Sequence, residues 1–252
     1  MKLFYFTSTG NNLYIAKRLG GELYSIPQVM KEGNYDFKDE KIGIIFPIYN
    51  WSVPVNVEDF LAKAKLESPY IFAIMSYGFT GGGATSHLLD IGKRNGIEFS
   101  YINSIKMVDN YVLGFSMEKQ IKGEPKKEIE KHLEKIILDI AHSKKWINKN
   151  SYIEGVMTKR MIKVNPHKIG VGITNKINVE DTCTTCGICA KVCPTDNILV
   201  NHAKPEFSNH CCSCLACTQN CPQNAIRIKG EKDKTRFRNQ HIPLKEIINA
   251  NK

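Results

Sequence analysis

No cysteine occurs in the first 182 residues of this 252-residue chain, and none follows Cys221. All nine thiols serve one short segment, which excludes disulfide bracing of the whole chain. Long hydrophobic runs are missing too: the longest strand-like one, Ile42 to Tyr49, is far short of the roughly 20 residues that cross a bilayer. Met1-Lys2-Leu3-Phe4-Tyr5-Phe6 leads straight into a polar turn, without the apolar region and cleavage site of a signal peptide, so a cytoplasmic protein is expected. No Gly-x-Gly-x-x-Gly follows a strand, which leaves an NAD(P)H site unsupported. Nucleic-acid binding is likewise unsupported, because no helix-turn-helix, aromatic-basic RNA signature or zinc-finger histidine pair accompanies the positive charge.

What is present is globular composition with a basic surplus: 42% hydrophobic, 24% charged, and a net charge of +10. The length allows one large or two modest domains, each with its own core. Residues 1–150 carry a net +3 and residues 151–252 a net +7; within the latter, 177–230 carry four charges of each sign, so that excess lies in their flanks. These hold Lys159, Arg160, Lys163, Lys168 and Lys176 on one side, and Lys232, Lys234, Arg236 and Arg238 on the other. Such residues solvate a linker and a tail, close the domains against each other or against a second copy as a homodimer, or steer an acidic electron carrier.

Residues 1–150 alternate short apolar runs with longer amphipathic ones, the pattern of a parallel sheet covered by helices. Strands are expected near Lys2–Phe6, Glu22–Ile26, Lys41–Phe46, Tyr70–Met75 and Phe99–Met107. Helices are expected near Asn12–Gly20, Val55–Lys65, Gly83–Asn95 and Pro125–Asn148, the last from Ile129, Leu133, Ile136, Ile137 and Ile140. Residues 151–176 lack a strong period and read as a basic connector. Residues 231–252 read as a basic tail with a short helix after Pro243.

Between them, 177–230 contains an internal repeat of about 28 residues. Its units are Cys183-x2-Cys186-x2-Cys189-x3-Cys193-Pro194 and Cys211-x2-Cys214-x2-Cys217-x3-Cys221-Pro222. Three thiolates two residues apart can wrap three corners of a cubane, while zinc is the other cofactor that four cysteines suit. Cys212 breaks the spacing and is expected to be a non-ligand. The segment resembles the two-[4Fe-4S] bacterial ferredoxins, an α+β fold. That resemblance implies two [4Fe-4S] clusters, one on Cys183, Cys186, Cys189 and Cys221, the other on Cys211, Cys214, Cys217 and Cys193. Ile188, Leu215, Ile198 and Ile226 are expected to shield them from water.

After the first strand, Thr7-Ser8-Thr9-Gly10-Asn11-Asn12 leads into a helix, presenting hydroxyls and backbone N–H groups to a phosphate or simply capping the turn. No lysine stands where a P-loop would place one, so a nucleoside triphosphate is a poor candidate. Loops after later strands hold Pro47, Ile48, Tyr49, Asn50 and Trp51, then Ser76, Tyr77, Gly78, Phe79 and Gly82, then Asn110 and Tyr111. Aromatics there can stack on a flat ring, and Gly or Asn lets backbone amides approach its polar edge. Residues 1–150 look like a flavodoxin, with Asn12 replacing the usual final Thr of the phosphate loop. The resemblance implies FMN and a doubly wound α/β sheet of five strands in the order 2-1-3-4-5.

Over its whole length the chain resembles flavodoxin-ferredoxin fusion proteins of anaerobes. This implies anaerobic metabolism and an electron-transfer flavo-iron-sulfur protein whose partners are ferredoxin or another redox carrier, with a small acceptor at the flavin. One alternative is a flavin-dependent reductase with its own organic substrate, for which no His or carboxylate pair in the sequence marks a pocket. Another is an oxidation-sensing regulator, against which the missing DNA-reading motif argues.

Overall fold

A computed structural model of the protein describes residues 1–162, 173–201 and 204–251. Its strands are β1 (Lys2–Tyr5), β2 (Glu22–Ser25), β3 (Asp36–Lys38), β4 (Ile42–Pro47), β5 (Lys65–Glu67), β6 (Ile71–Tyr77), β7 (Phe99–Lys106) and β8 (Trp146–Ile147) in the first part of the chain. Six of them form one parallel sheet in the order β2-β1-β4-β6-β7-β8, and β3 pairs with β5 beside it. Helices α1 (Asn11–Leu19), α2 (Ile26–Glu32), α3 (Val55–Lys63), α4 (Ala84–Arg94), α5 (Met117–Lys122), α6 (Ile129–Ala141) and α7 (Tyr152–Ile162) connect and follow the strands. α1 packs with α6, and α3 with α4, as right-handed crossovers on opposite faces of a sheet require. Burial on both faces is why β4 and β6 are apolar throughout instead of alternating. Phe4, Phe6, Phe46, Phe60, Phe72 and Tyr101 fill the core completely.

Two expectations need correction. The sheet has six strands where five were expected, and the last long helix ends at Ala141, not Asn148. Its buried stripe of Leu133, Ile136 and Ile140 would continue at Ser143 or Lys144, both polar. Ser143 instead takes φ 52 and turns the chain, so that Trp146 and Ile147 pair with Tyr101 and Ile102. The basic connector is helical over 152–162. α7 carries little periodicity because polar groups hold it: Asn150 Oδ1 accepts from Ser86 N, and Thr158 Oγ1 accepts from Gly83 N at 2.9 Å. Of the connector's named residues, Lys163 and Lys168 lie outside the described residues.

The cysteine region has two antiparallel pairs, β9 (Ile177–Val179) with β12 (Ile226–Ile228) and β10 (Ile198–Leu199) with β11 (Glu206–Phe207). The sequence repeat reappears in the backbone. Left-handed residues Thr185, Gly187 and Asp196 recur 28 positions later as Ser213, Leu215 and Asn224. The short helices Ile188–Lys191 and Ala216–Gln219 follow the same spacing.

The tail is docked, not free. Ile242, Ile247 and Ala250 join the main core, Gln28 Nε2 donates to Asn249 O at 2.7 Å, and Lys17 pairs with Glu246 at 2.8 Å. Among the described residues, no helix is long and apolar enough to cross a membrane.

Candidate functional site

The eight repeat cysteines separate into two groups. Cys183, Cys186, Cys189 and Cys221 line one small cavity, and Cys193, Cys211, Cys214 and Cys217 line another. Each run thus sends its fourth thiol to the other run's cavity, because the residue after each helical turn leads into a Pro that carries the chain away. Asn197 N donates to Cys193 Sγ at 3.3 Å, and Ala225 N to Cys221 Sγ at 3.2 Å, 28 positions apart. Ile198 and Ile226 pack directly against Cys189 and Cys193. No three His, Cys, Asp or Glu side chains among the described residues converge as one metal ion would need. Four thiols around one cavity suit a [4Fe-4S] cubane, as four cysteines also suit zinc. Burial pushes the Cys189 and Cys211 thiols up to about 11.

At the carboxyl ends of the sheet strands lies a cleft of about 290 Å³. It is lined by Thr7, Ser8, Thr9, Asn11 and Asn12 from the β1–α1 turn and by Pro47 to Val55 after β4. Ser76 to Thr80 and Met107 to Tyr111, from the ends of β6 and β7, complete it. Asn110 Nδ2 donates to Ser8 Oγ at 2.8 Å and lies 3.4 Å from Thr9 Oγ1, which gathers two hydroxyls at the mouth of α1. Asn12 Oδ1 is buried without a partner, and the same amide turned over presents two donors. The turn therefore fits a single phosphate: hydroxyls, an amide and a helix N-terminus, with no cation among them.

Asn50 and Trp51 take φ 48 and 63, the conformation of a tight two-residue hairpin closed by mutual hydrogen bonds of Tyr49 and Ser52. This backbone is costly for Trp, and it holds the ring at the cleft wall. Gly82 permits it, since a Cβ there would run into the Trp51 side chain.

Gly82 and Gly10 are the two expected site residues that do not line the cleft. Gly10, at φ 95, makes room for the tail instead: a Cβ would lie 2.9 Å from that of Ile242. Asn11 is also engaged structurally, donating to Val108 O at 3.1 Å and accepting from Asn239.

Three further titratable residues line the cleft. His87 and Glu58 lie 3.6 Å apart, on α4 and α3, and His87 Nδ1 accepts from Val53 N. Burial lowers the His87 pKa, against the opposing pull of Glu58, and the Val53 bond places the neutral ring's proton on Nε2. Asp109 is the third, its carboxyl raised by burial and packed against Gly78. Glu58 carries no local signal, because it is the approach of α3 to α4 that brings it beside His87 at the cleft.

The cysteine region closes one side of this cleft. Cys212, Ser213 and Leu215 line it, Asn220 Nδ2 donates to Ser8 O at 3.0 Å, and Gln219 Nε2 donates to Asn110 O at 2.7 Å. Val108, Val112 and Met117 share an apolar cluster with Ile173, Leu215, Ile228 and Phe237. The basic flanks do not form one free surface. Arg236 is about 10% exposed and pairs with Glu231 at 2.8 Å, while Lys159 lies 3.6 Å from Asp90. Of the roles open to these flanks, Arg236 does not take the exposed one: its charge is spent inside the fold, against Glu231.

Residues 178–199 match the 4Fe-4S binding domain family. No curated protein matches the chain. A candidate flavoprotein from Bacteroides uniformis ATCC 8492 is 15% identical, covering 48% of this chain and 94% of its own, with a TM-score of 0.32. Rubredoxin oxygen:oxidoreductase from the anaerobe Desulfovibrio gigas is 17% identical, with a TM-score of 0.30. That alignment covers 54% of this chain and 36% of the other. Likeness at this level carries no argument about what this chain binds.

Proposed function

We propose that the protein is an electron-transfer flavo-iron-sulfur protein holding FMN in the cleft and two [4Fe-4S] clusters in the cysteine cavities. One observation carries this reading: two four-thiol cavities and a phosphate-type cleft stand in one fold, and the second cavity shares a wall with the cleft. Clusters exchange single electrons and a flavin one or two, which is the chemistry these groups would supply when bound. The chain's own residues bind and orient. Ser8, Thr9 and Asn12 would hold a phosphate at the α1 N-terminus, while Tyr49, Trp51 and Tyr77 would flank a planar ring. Asn220 and Gln219 fix the cysteine region against those same loops. FMN is favoured over FAD because the turn offers room and donors for one phosphate and lacks the dinucleotide glycine pattern. Mixing with a reduced small ferredoxin tests the reading. Bound flavin should bleach rapidly with no organic product; an unreduced flavin would contradict it.

A second reading, a reductase with its own small organic acceptor, is favoured by one observation, the His87–Glu58 pair and Asp109 on the same cleft. His87 Nε2–H would donate to such an acceptor. Under this reading His87→Gln lowers turnover of a quinone while flavin reduction by ferredoxin is unchanged. Equal quinone rates for the two proteins would remove it.

A further inference from the structure

The flavin cleft touches the two cysteine cavities unequally. It shares Ile173, Cys212 and Leu215 with the cavity of Cys193, Cys211, Cys214 and Cys217. With the cavity of Cys183, Cys186, Cys189 and Cys221 it shares no residue. Exposure is unequal in the opposite sense: Cys186 is exposed, whereas Cys214 is buried.

The backbone marks the shared wall. Where the first run places Gly187 at φ 73, the second has Leu215 at φ 61. A leucine in this left-handed conformation is strained relative to glycine. Its side chain is 4% exposed and closes the wall between cavity and cleft. Cys212, which the repeat does not require, sits in that same wall.

Resting on the proposed function, we infer a fixed order of electron flow. The second cluster is the flavin's immediate redox neighbour across the Cys212–Leu215 wall, and the first cluster is the outward port for a one-electron carrier. Cys183, Cys186, Cys189 and Cys221 would hold the cluster that accepts single electrons from the carrier, and Cys193, Cys211, Cys214 and Cys217 the one that passes them across the wall to the flavin. Two carrier oxidations would supply the two electrons of one flavin reduction, with two protons from water, and no bond to the protein would form or break. Cys212 remains a thiol throughout and serves as wall, not ligand.

Alkylation of the full-length, cluster-loaded protein, read by mass spectrometry, tests both halves. Iodoacetamide should modify Cys212 when flavin is absent, and FMN at about ten times its Kd should slow this roughly tenfold. On gradual iron removal by a chelator, Cys183, Cys186, Cys189 and Cys221 should become reactive before Cys193, Cys211, Cys214 and Cys217. Added FMN should delay only the second set. A fluorescence titration of FMN run in parallel separates the failures. If FMN does not bind, the flavin reading falls and this inference with it. If FMN binds while Cys212 reacts at an unchanged rate, or the second set is released first, the order of electron flow alone is overturned.

Discussion

The Arg236 guanidinium reaches Glu231 Oε2 at 2.8 Å, and Arg227 pairs with the other oxygen of the same carboxylate. Arg227 still neutralises Glu231 when Arg236 is removed, so Arg236→Gln loses one charged hydrogen bond and should cost about 1.5–3 kcal/mol in chemical denaturation. It should leave the salt dependence of reduction by a carrier unchanged, because this charge does not face solvent. Asp109 gives the opposite sign. Burial raises its carboxyl above the ordinary value, so the folded state disfavours the anion, and a stability penalty develops as pH rises through the unfolded and then the folded pKa. Asp109→Asn keeps an acceptor for Tyr111 N and removes that penalty. The flavin-free variant should therefore melt higher than wild type at neutral pH, with the gain vanishing in acid; a lower melting temperature at neutral pH would contradict this. Cysteine grouping was readable at this scale because ligand spacing is local and Pro194 and Pro222 redirect each fourth thiol. The pairings of Arg236 and His87 were not legible because their partners are set by folding: Glu231 by a turn, and Glu58 by the approach of α3 to α4.

Among elements, the sheet strands were legible wherever burial on both faces leaves an unbroken apolar run, as in β4 and β6. Elements held by polar contacts were not. α7 rests on Asn150 and Thr158, and the two-residue β8 is visible only through its pairing with β7. The short helix Ala216–Gln219 is the junction that matters most, since the next residue, Asn220, and its own Gln219 bond the two loops that form the phosphate end of the cleft. Asn220→Ala leaves the buried Ser8 carbonyl without this donor, an expected loss of about 1–3 kcal/mol. Urea denaturation measures that loss, and equilibrium dialysis should show weaker FMN retention. Unchanged stability and retention would mean that the helix merely touches the turn.

For the molecule as a whole, the 28-residue symmetry is broken where the cysteine region meets the cleft. Gly187 and Leu215 occupy equivalent backbone positions, yet only Leu215 forms part of the cleft wall. The docked tail has a related role, passing over Gly10 and donating from Asn239 N to Thr9 O at 2.8 Å, which braces the phosphate turn from behind. Sheet, cysteine region and tail thus converge on one turn, and in the proposed function this convergence houses three redox groups. Iron, zinc and flavin quantitation on anaerobically prepared, reconstituted protein, with its absorbance spectrum, tests this most directly. About eight iron atoms, the content of two cubanes, with one FMN per chain and broad visible absorbance, are expected. Stoichiometric zinc without that absorbance, or no bound flavin in excess FMN, would contradict it.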